Sequence, residues 1–351
     1  MSDQTPPSAF PPVRFLVIGS GAIGTYIGGS LALRGYMVVF LEKPEARRRI
    51  VETGLKLEID GLVSEVPTPV ITDTIREALG HGPFDAAVMA LKSFDTKTAM
   101  QEAFSVRAEL PPILCLQNGV ENEVEIARIL ETDRVIPGTL TSAIARGAPG
   151  TIILEKKRGV GIAAGYPLSE TIVNAFNDAG LNAHLYKSAS SMKWSKLLTN
   201  LLANASSAIL TMTPAEIFSD SRLFRLEAAQ LREALLLMKA MGIQVVDLPG
   251  TPVRALAFAV QRLPASIARR LLRRAVGEGR GSKMPSFYID MVSGRGQTEV
   301  DYLNGAVVRY GGKLGIPTPV NSLLNKTLSG LTRGDIPMEE FEKQPEKLLH
   351  L

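Results

Sequence analysis

In the stretch Lys193-Trp-Ser-Lys-Leu-Leu-Thr-Asn-Leu-Leu-Ala-Asn204, an ammonium and two carboxamides recur at regular spacing among apolar residues. Lys196, Asn200 and Asn204 stand at i, i+4 and i+8, which would align them on one face of a helix. Reducing a ketone with hydride needs a proton donor at the carbonyl oxygen and polar groups that hold the substrate still, and this face offers both. Each amide, if buried without a partner, would cost about 1 to 3 kcal/mol, and a bound ligand would supply one. The plainer alternative is an exposed stripe with Lys196 in water, because Leu197, Leu198, Leu201 and Leu202 already fill the adjoining faces. Histidine, the usual donor in dehydrogenases, lacks a persuasive setting here: His81 sits in a Gly-His-Gly loop, His184 in an expected strand, and His350 is next to last.

A second group lies near the start of the chain. The apolar run Val13–Gly19 leads directly into Gly19-Ser20-Gly21-Ala22-Ile23-Gly24, with helix-forming sequence behind it. In such a turn Gly19 permits the tight bend, Gly21 lets the backbone approach a pyrophosphate, and Gly24 lets the helix pack on the strand, while helix N–H groups face the phosphates. The setting between strand and helix makes dinucleotide binding the favoured reading over a structural glycine turn. The choice of nicotinamide cofactor stays open at this level. Glu42, ending the second strand, would accept hydrogen bonds from an unphosphorylated ribose, whereas its neighbour Lys43 would favour a 2′-phosphate. Arg47, Arg48 and Arg49 add charge nearby and read equally well as a solvated helix face.

The elements that must position these groups form an α/β chain: an N-terminal Rossmann-type doubly wound sheet followed by an all-helical C-terminal domain. A helix from about Ala22 ends at Arg34-Gly35 and a strand spans Met37 to Leu41, which completes a βαβ unit. Leu55 to Ile59 and Leu62 to Val66 predict a hairpin turning at Asp60-Gly61. Buried strands are expected at Phe84–Leu91 and Ile113–Gln117, with shorter ones at Thr151–Leu154 and Val160–Ala164 and a helix near Leu168–Ala179. Each buried strand precedes helix-forming sequence, so the sheet should be largely parallel with helices on both faces. Past about Ala189 helices take over, placing a boundary near residue 188 and domains at 13–188 and 189–336. Residues 1–12 read as a disordered tail and 337–351 as a polar, loosely held one. A helix should begin at Thr298, capped through Asp301, with Val300, Leu303, Val307, Tyr310 and Leu314 on one face and a stop at Gly315-Ile-Pro317.

Composition narrows the function. The 351 residues suit two domains, and the lone Cys115 allows neither a disulfide framework nor a thiolate metal site, which fits a reducing cytoplasm. No histidine spacing suggests a metal, and no metal is expected. The opening residues lack a signal-peptide pattern, and no run approaches the roughly 18 to 20 apolar residues of a membrane span. Basic charge concentrates between Arg254 and Lys283, where eight basic residues face one acid; the remainder of the chain carries −3 against a total of +4. That pattern argues against a nucleic-acid partner, which would want charge spread over the contacting face. This arginine-rich segment predicts an amphipathic helix, with Leu256, Val260, Leu263, Ile267, Leu271 and Leu272 apolar, packing on the domain or on a second subunit.

The chain resembles the ketopantoate reductase family over nearly its whole length. The matching features, in the family's order, are the Gly19–Gly24 turn, Leu91-Lys92 after a strand, Gln117-Asn118-Gly119, the Lys196 to Asn204 stripe, Ser286 to Asp290, and Thr298-Glu-Val-Asp-Tyr-Leu-Asn-Gly305. The resemblance implies NADPH-dependent reduction of 2-dehydropantoate to pantoate, on the way to pantothenate, with Lys196 as catalytic lysine and Glu299 as active-site glutamate. It implies cofactor contacts from the glycine turn, Glu42, Lys43, Lys92, Asn118 and Glu299, and substrate contacts from Asn118, Asn200, Asn204, Ser286 and Asp290. Lys43, at the position of the basic residue that meets the adenosine phosphate, favours NADP(H); Glu42 keeps NAD(H) open. A homodimer is expected for a two-domain dehydrogenase of this kind.

Physical reading supports these roles where it reaches. Partial desolvation disfavours a charged lysine, which would make Lys196 a better proton donor. Asn118 follows a parallel strand at its carboxyl edge, where ligands sit in open α/β sheets. Two departures from the family pattern bear on the substrate: the arginine-rich insertion between Pro249 and Ser286, and the glycine-containing spacing from Asp290 to Glu299. Two alternatives therefore stand beside the reductase, namely turnover of another 2-keto acid on the same fold and a non-catalytic dinucleotide sensor.

Overall fold

The computed structural model describes residues 13–148, 150–280 and 283–350, so the expected N-terminal tail lies outside the described residues. The chain divides into two compact units: one comprises Met1–Gln117, Asn122–Met192 and Pro249–Thr251, the other Asn118–Glu121, Lys193–Leu248 and Pro252–Leu351. The division falls within the helix Ala189–Leu201, and two short segments cross against chain order.

The first unit is built on strands β1 (Arg14–Ile18), β2 (Met37–Leu41), β3 (Lys56–Ile59), β4 (Leu62–Glu65), β5 (Val70–Thr72), β6 (Ala86–Met89), β7 (Ile113–Cys115), β8 (Val135–Leu140), β9 (Ala143–Arg146), β10 (Thr151–Lys156), β11 (Val160–Ala163) and β12 (Ala183–Tyr186). Eight of them form a sheet in the order β12-β11-β8-β7-β6-β1-β2-β5, parallel except between β8 and β11. Alternation divides its core cleanly. Phe15, Val17, Val38, Phe40, Val88 and Leu114 face one side, and Leu16, Ile18, Val39, Met89 and Cys115 face the other. Strands buried on both faces read as unbroken apolar runs, which is why they stand out in the sequence.

The two faces are covered differently. Helices Ile75–Gly80, Thr96–Glu102 and Asn122–Ala127 send Ala78, Met100 and Ile126 into one. The other takes the helices Ala22–Leu33 and Ser169–Asp178 together with a second, four-stranded sheet in the order β4-β3-β10-β9. The sequence predicts the hairpin and the strand at β10 without saying what they pair with, and the structure joins them in this second sheet. The burial pattern explains it: Ile152 and Leu154 are buried in alternation with less buried neighbours, as in a strand covered on one face, whereas β11 is buried at every residue. The hairpin does turn at Asp60-Gly61, both with positive φ (51° and 78°).

The second unit is helical. Its first helix, Ala189–Leu201, is followed by Ala205–Leu210, Pro214–Ser219, the long Ser221–Ala240, Val253–Arg262, Ala265–Arg280, Ser286–Val292, Val300–Leu314 and Pro319–Arg333. Four expectations are corrected here. The arginine-rich segment forms two helices, because Pro264 lacks a donor and holds Leu263 extended (ψ 149°); Val260 and Leu272 are buried, but Ile267 and Leu271 are exposed. The Thr298–Asp301 cap does not form: Glu299 is the N-cap residue with no side-chain cap, and Thr298 Oγ1 accepts instead from the Val300 N–H at 3.4 Å. Leu314, at the end of that helix, is exposed. The C-terminal segment is held in place, since Phe341 and Leu348 are buried and the Lys343 N–H donates to the Leu210 carbonyl at 2.8 Å. No described helix is long and apolar enough to cross a membrane.

Candidate functional site

In the first unit, three adjacent parallel strands deliver the cofactor candidates to one edge. β1 leads into Gly19, β2 into Glu42, and β6 through Leu91 to Lys92. Chain order reverses here, since β2 lies on one side of β1 and β6 on the other, and such a switch point is where open sheets bind ligands. Gly19 has φ +96°, and a Cβ on Gly24 would stand 1.8 Å from the Gly19 carbonyl oxygen. A dinucleotide fits this cradle: Gly21 caps the following helix without a side chain, and the first-turn amides of a helix have no partner within it and favour an anion.

The two residues that speak to cofactor choice are placed apart in role. Glu42 turns inward, its carboxyl group accepting from the Ser20 N–H (2.8 Å), the Ser20 hydroxyl (2.9 Å) and the Lys43 N–H (2.9 Å). Lys43 is exposed, with its ammonium 3.2 Å from Asp95. Lys92 is half-buried before a short helical turn at Ser93–Asp95. Sequence reasoning passed over Arg146, whose Nη2 lies 3.1 Å from where a Cβ on Gly21 would be. It ends β9, a strand with no apolar signal strong enough to betray it.

The second unit gathers residues from across the chain. Asn200 Nδ2 donates to Asn118 Oδ1 at 3.0 Å, and Asn118 Nδ2 reaches Glu299 Oε2 at 3.5 Å, joining residues 82 and 181 positions apart. Glu299 is buried and Lys196 half-buried, one turn ahead of Asn200 on the same helix. The Asn118 segment is anchored by Glu121, which pairs with Arg309 at 2.6 Å. Burial opposes the charge of Arg309, yet the Glu121 and Asp301 carboxylates outweigh it and raise its pKa. The Trp194 and Tyr310 rings meet edge to face at 5.1 Å, fixing the Lys196 helix against Val300–Leu314.

Asn204 joins this group by a different route from the expected one. The helix ends at Leu201, Ala203 takes a left-handed φ of +50°, and Asn204 begins a new helix, so the stripe is not one continuous face. The Asn204 side chain turns back instead. Its Nδ2 donates to the Asn200 carbonyl (3.1 Å) and approaches Ser286 Oγ (3.4 Å), while its Oδ1 accepts from the Phe287 N–H (3.1 Å). The protein itself thus meets the cost of burying this amide. Ser286 and Asp290 lie one turn apart on the helix Ser286–Val292, Ser286 exposed and Asp290 half-buried. Among the described residues there is no cluster of metal-ligating side chains.

The family model described as ketopantoate reductase PanE/ApbA matches residues 15–165, and its C-terminal counterpart matches 189–332. A 2-dehydropantoate 2-reductase of Pyrococcus horikoshii is 25% identical over 317 residues, covering 89% of this chain and 95% of its own. Among solved structures, a ketopantoate reductase of that family from Ralstonia eutropha superposes with a TM-score of 0.76 at 24% identity, covering 92% of this chain and 99% of its own. A D-mandelate dehydrogenase bound to NADH and anilino(oxo)acetate has the same fold, with a TM-score of 0.74 at 20% identity and the same coverages.

Proposed function

The chain belongs to the ketopantoate reductase family, and from that premise we propose that it reduces 2-dehydropantoate to pantoate with hydride from NADPH. The observation that carries this reading is the hydrogen-bonded series Asn200–Asn118–Glu299 on the unit that bears Lys196. The bound cofactor supplies the hydride. Lys196 donates its proton to the carbonyl oxygen as the new C–H bond forms at the keto carbon, leaving a secondary alcohol. Asn118, Asn200 and Glu299 hold their mutual geometry, so the substrate meets a face that needs no rearrangement. Ser286 and Asp290 extend the substrate face, and Asn204 fixes Ser286 against Asn200. On the other unit Gly19–Gly24 and Lys92 hold the phosphates and nicotinamide half of the cofactor, with Arg146 added as a pyrophosphate ligand. The lone, buried Cys115 supports a reducing cytoplasm as the setting, and we expect a homodimer.

Glu42 supports a second reading of the donor. Its carboxyl group is already held at the glycine turn, where it would accept from a ribose 2′-hydroxyl and repel a 2′-phosphate; the structurally similar D-mandelate dehydrogenase carries NADH. A steady-state assay with 2-dehydropantoate, run with NADPH and NADH in parallel, separates the two. A higher kcat/KM with NADPH makes Lys43 the selector, and a preference for NADH gives that role to Glu42. Absence of turnover with either, alongside cofactor binding, would reject 2-dehydropantoate as the substrate.

A further inference from the structure

The break between the Lys196 helix and the Asn204 helix frees backbone groups that a continuous helix would have paired. Continued past Leu201, the Ala203 N–H would point to the Thr199 carbonyl, and the Leu201 carbonyl would receive the N–H of residue 205. Instead the Ala203 N–H donates to Glu227 Oε2 at 2.7 Å, and the Leu201 carbonyl accepts from the Asn204 N–H at 3.3 Å and from Gln230 Nε2 at 3.2 Å. Glu227 and Gln230 are three residues apart on the buried face of Ser221–Ala240, so one helix presents an acceptor to the Ala203 N–H and a second donor to the Leu201 carbonyl. Both are buried, Glu227 to 1% and Gln230 to 0% exposure, which makes their satisfaction obligatory.

The network continues in both directions. Glu227 also accepts from the Ser206 hydroxyl (2.5 Å), in the first turn of the Asn204 helix, and from Gln230 Nε2 (2.6 Å). Gln230 Oε1 in turn accepts from Asn304 Nδ2 at 3.1 Å, on the helix that Glu299 caps. The turn that aims Asn204 and the helix that starts at Glu299 are therefore referenced to the same pair of side chains.

We propose that Glu227 is a positioning residue for the substrate face: it holds Ala203 in the left-handed conformation and thereby keeps Asn204 clasped to Asn200 and Ser286. Its link to turnover rests on the reductase reading above; its link to the turn does not. A non-glycine residue at positive φ persists only where its surroundings enforce it, and Glu227 is that enforcement.

The experiment is a double-mutant cycle between Glu227→Ala and Ala203→Gly, since glycine takes this φ unaided. Glu227→Ala should lower kcat for 2-dehydropantoate about tenfold or more, the loss expected for hydrogen bonds to a carboxyl group, with KM for the cofactor unchanged. Adding Ala203→Gly should recover most of that loss, and the conservative Glu227→Gln, which keeps an oxygen for Ala203, should lose far less. Hydrogen exchange of the segment 201–206 should rise in Glu227→Ala and fall back in the double variant, a readout that stands even if 2-dehydropantoate is not turned over. Should the alanine variant fail to fold, Glu227→Asp withdraws the carboxyl group by one methylene and should show the same pattern at smaller amplitude. Unchanged kcat and exchange in the single variant would overturn the proposal, and so would a loss that Ala203→Gly leaves unrecovered.

Discussion

The glycine turn of the first unit and the polar cluster of the second, proposed as the cofactor and substrate sites, are made in opposite ways. The turn is local: six successive residues shape it, and their backbone does the work, with Gly19 at φ +96° and Gly24 leaving no room for a side chain. The cluster is assembled from Asn118, Asn200, Asn204, Ser286 and Glu299, whose long-range bonds span 82 and 181 positions. A site made of backbone is vulnerable to added atoms, and one made of side chains to lost ones.

Three substitutions test that contrast. The largest effect is expected from Lys196→Ala, which should lower kcat by about a hundredfold to ten-thousandfold, the usual worth of a positioned proton donor, while cofactor affinity measured by fluorescence titration stays put. Turnover within threefold of wild type would remove Lys196 from the chemistry. Next comes Gly24→Ala: a methyl group 1.8 Å from the Gly19 oxygen and 3.1 Å from Val17 Cγ1 forces the turn open. We expect a stability loss of about 1 to 3 kcal/mol in denaturant titrations, typical of overpacking, with cofactor binding lost. Retained tight binding would mean that the turn does not depend on its backbone shape. The smallest effect is expected from Arg146→Ala, a side chain serving a backbone site, which should weaken cofactor binding about threefold to tenfold and leave the KM for the keto acid alone. An unchanged cofactor affinity would return Arg146 to the solvated surface.

The same contrast governs what was legible beforehand. β1, β6 and β7 are apolar runs because both their faces are covered, and so their places could be read directly. β9, exposed at its Arg146 end and half-buried elsewhere, carries no such signature, and the second sheet it belongs to was missed with it. In the second unit, the spacing of Lys196, Asn200 and Asn204 predicts one continuous helix face, and the structure keeps only part of it. Lys196 and Asn200 do share a helix, but Asn204 arrives through a turn that nothing in Leu201-Leu-Ala-Asn204 announces: it contains neither glycine nor proline. The turn is specified by Glu227 and Gln230 from a distant helix, residues that read alone as the ordinary polar content of an amphipathic stretch. Likewise Thr298 and Asp301 have the spacing of a cap, yet the helix starts at Val300 with Glu299 as its N-cap residue.

The sequence by itself determined the two-part α/β and helical architecture, the glycine turn and the family, because each rests on patterns within a few residues or on their order along the chain. Only the tertiary structure decided which buried amides answer one another, how Glu42 and Lys43 divide their partners, and where the Lys196 helix ends. Those outcomes depend on hydrogen bonds between groups far apart in sequence, and a buried donor or acceptor takes whatever partner the packing brings within reach.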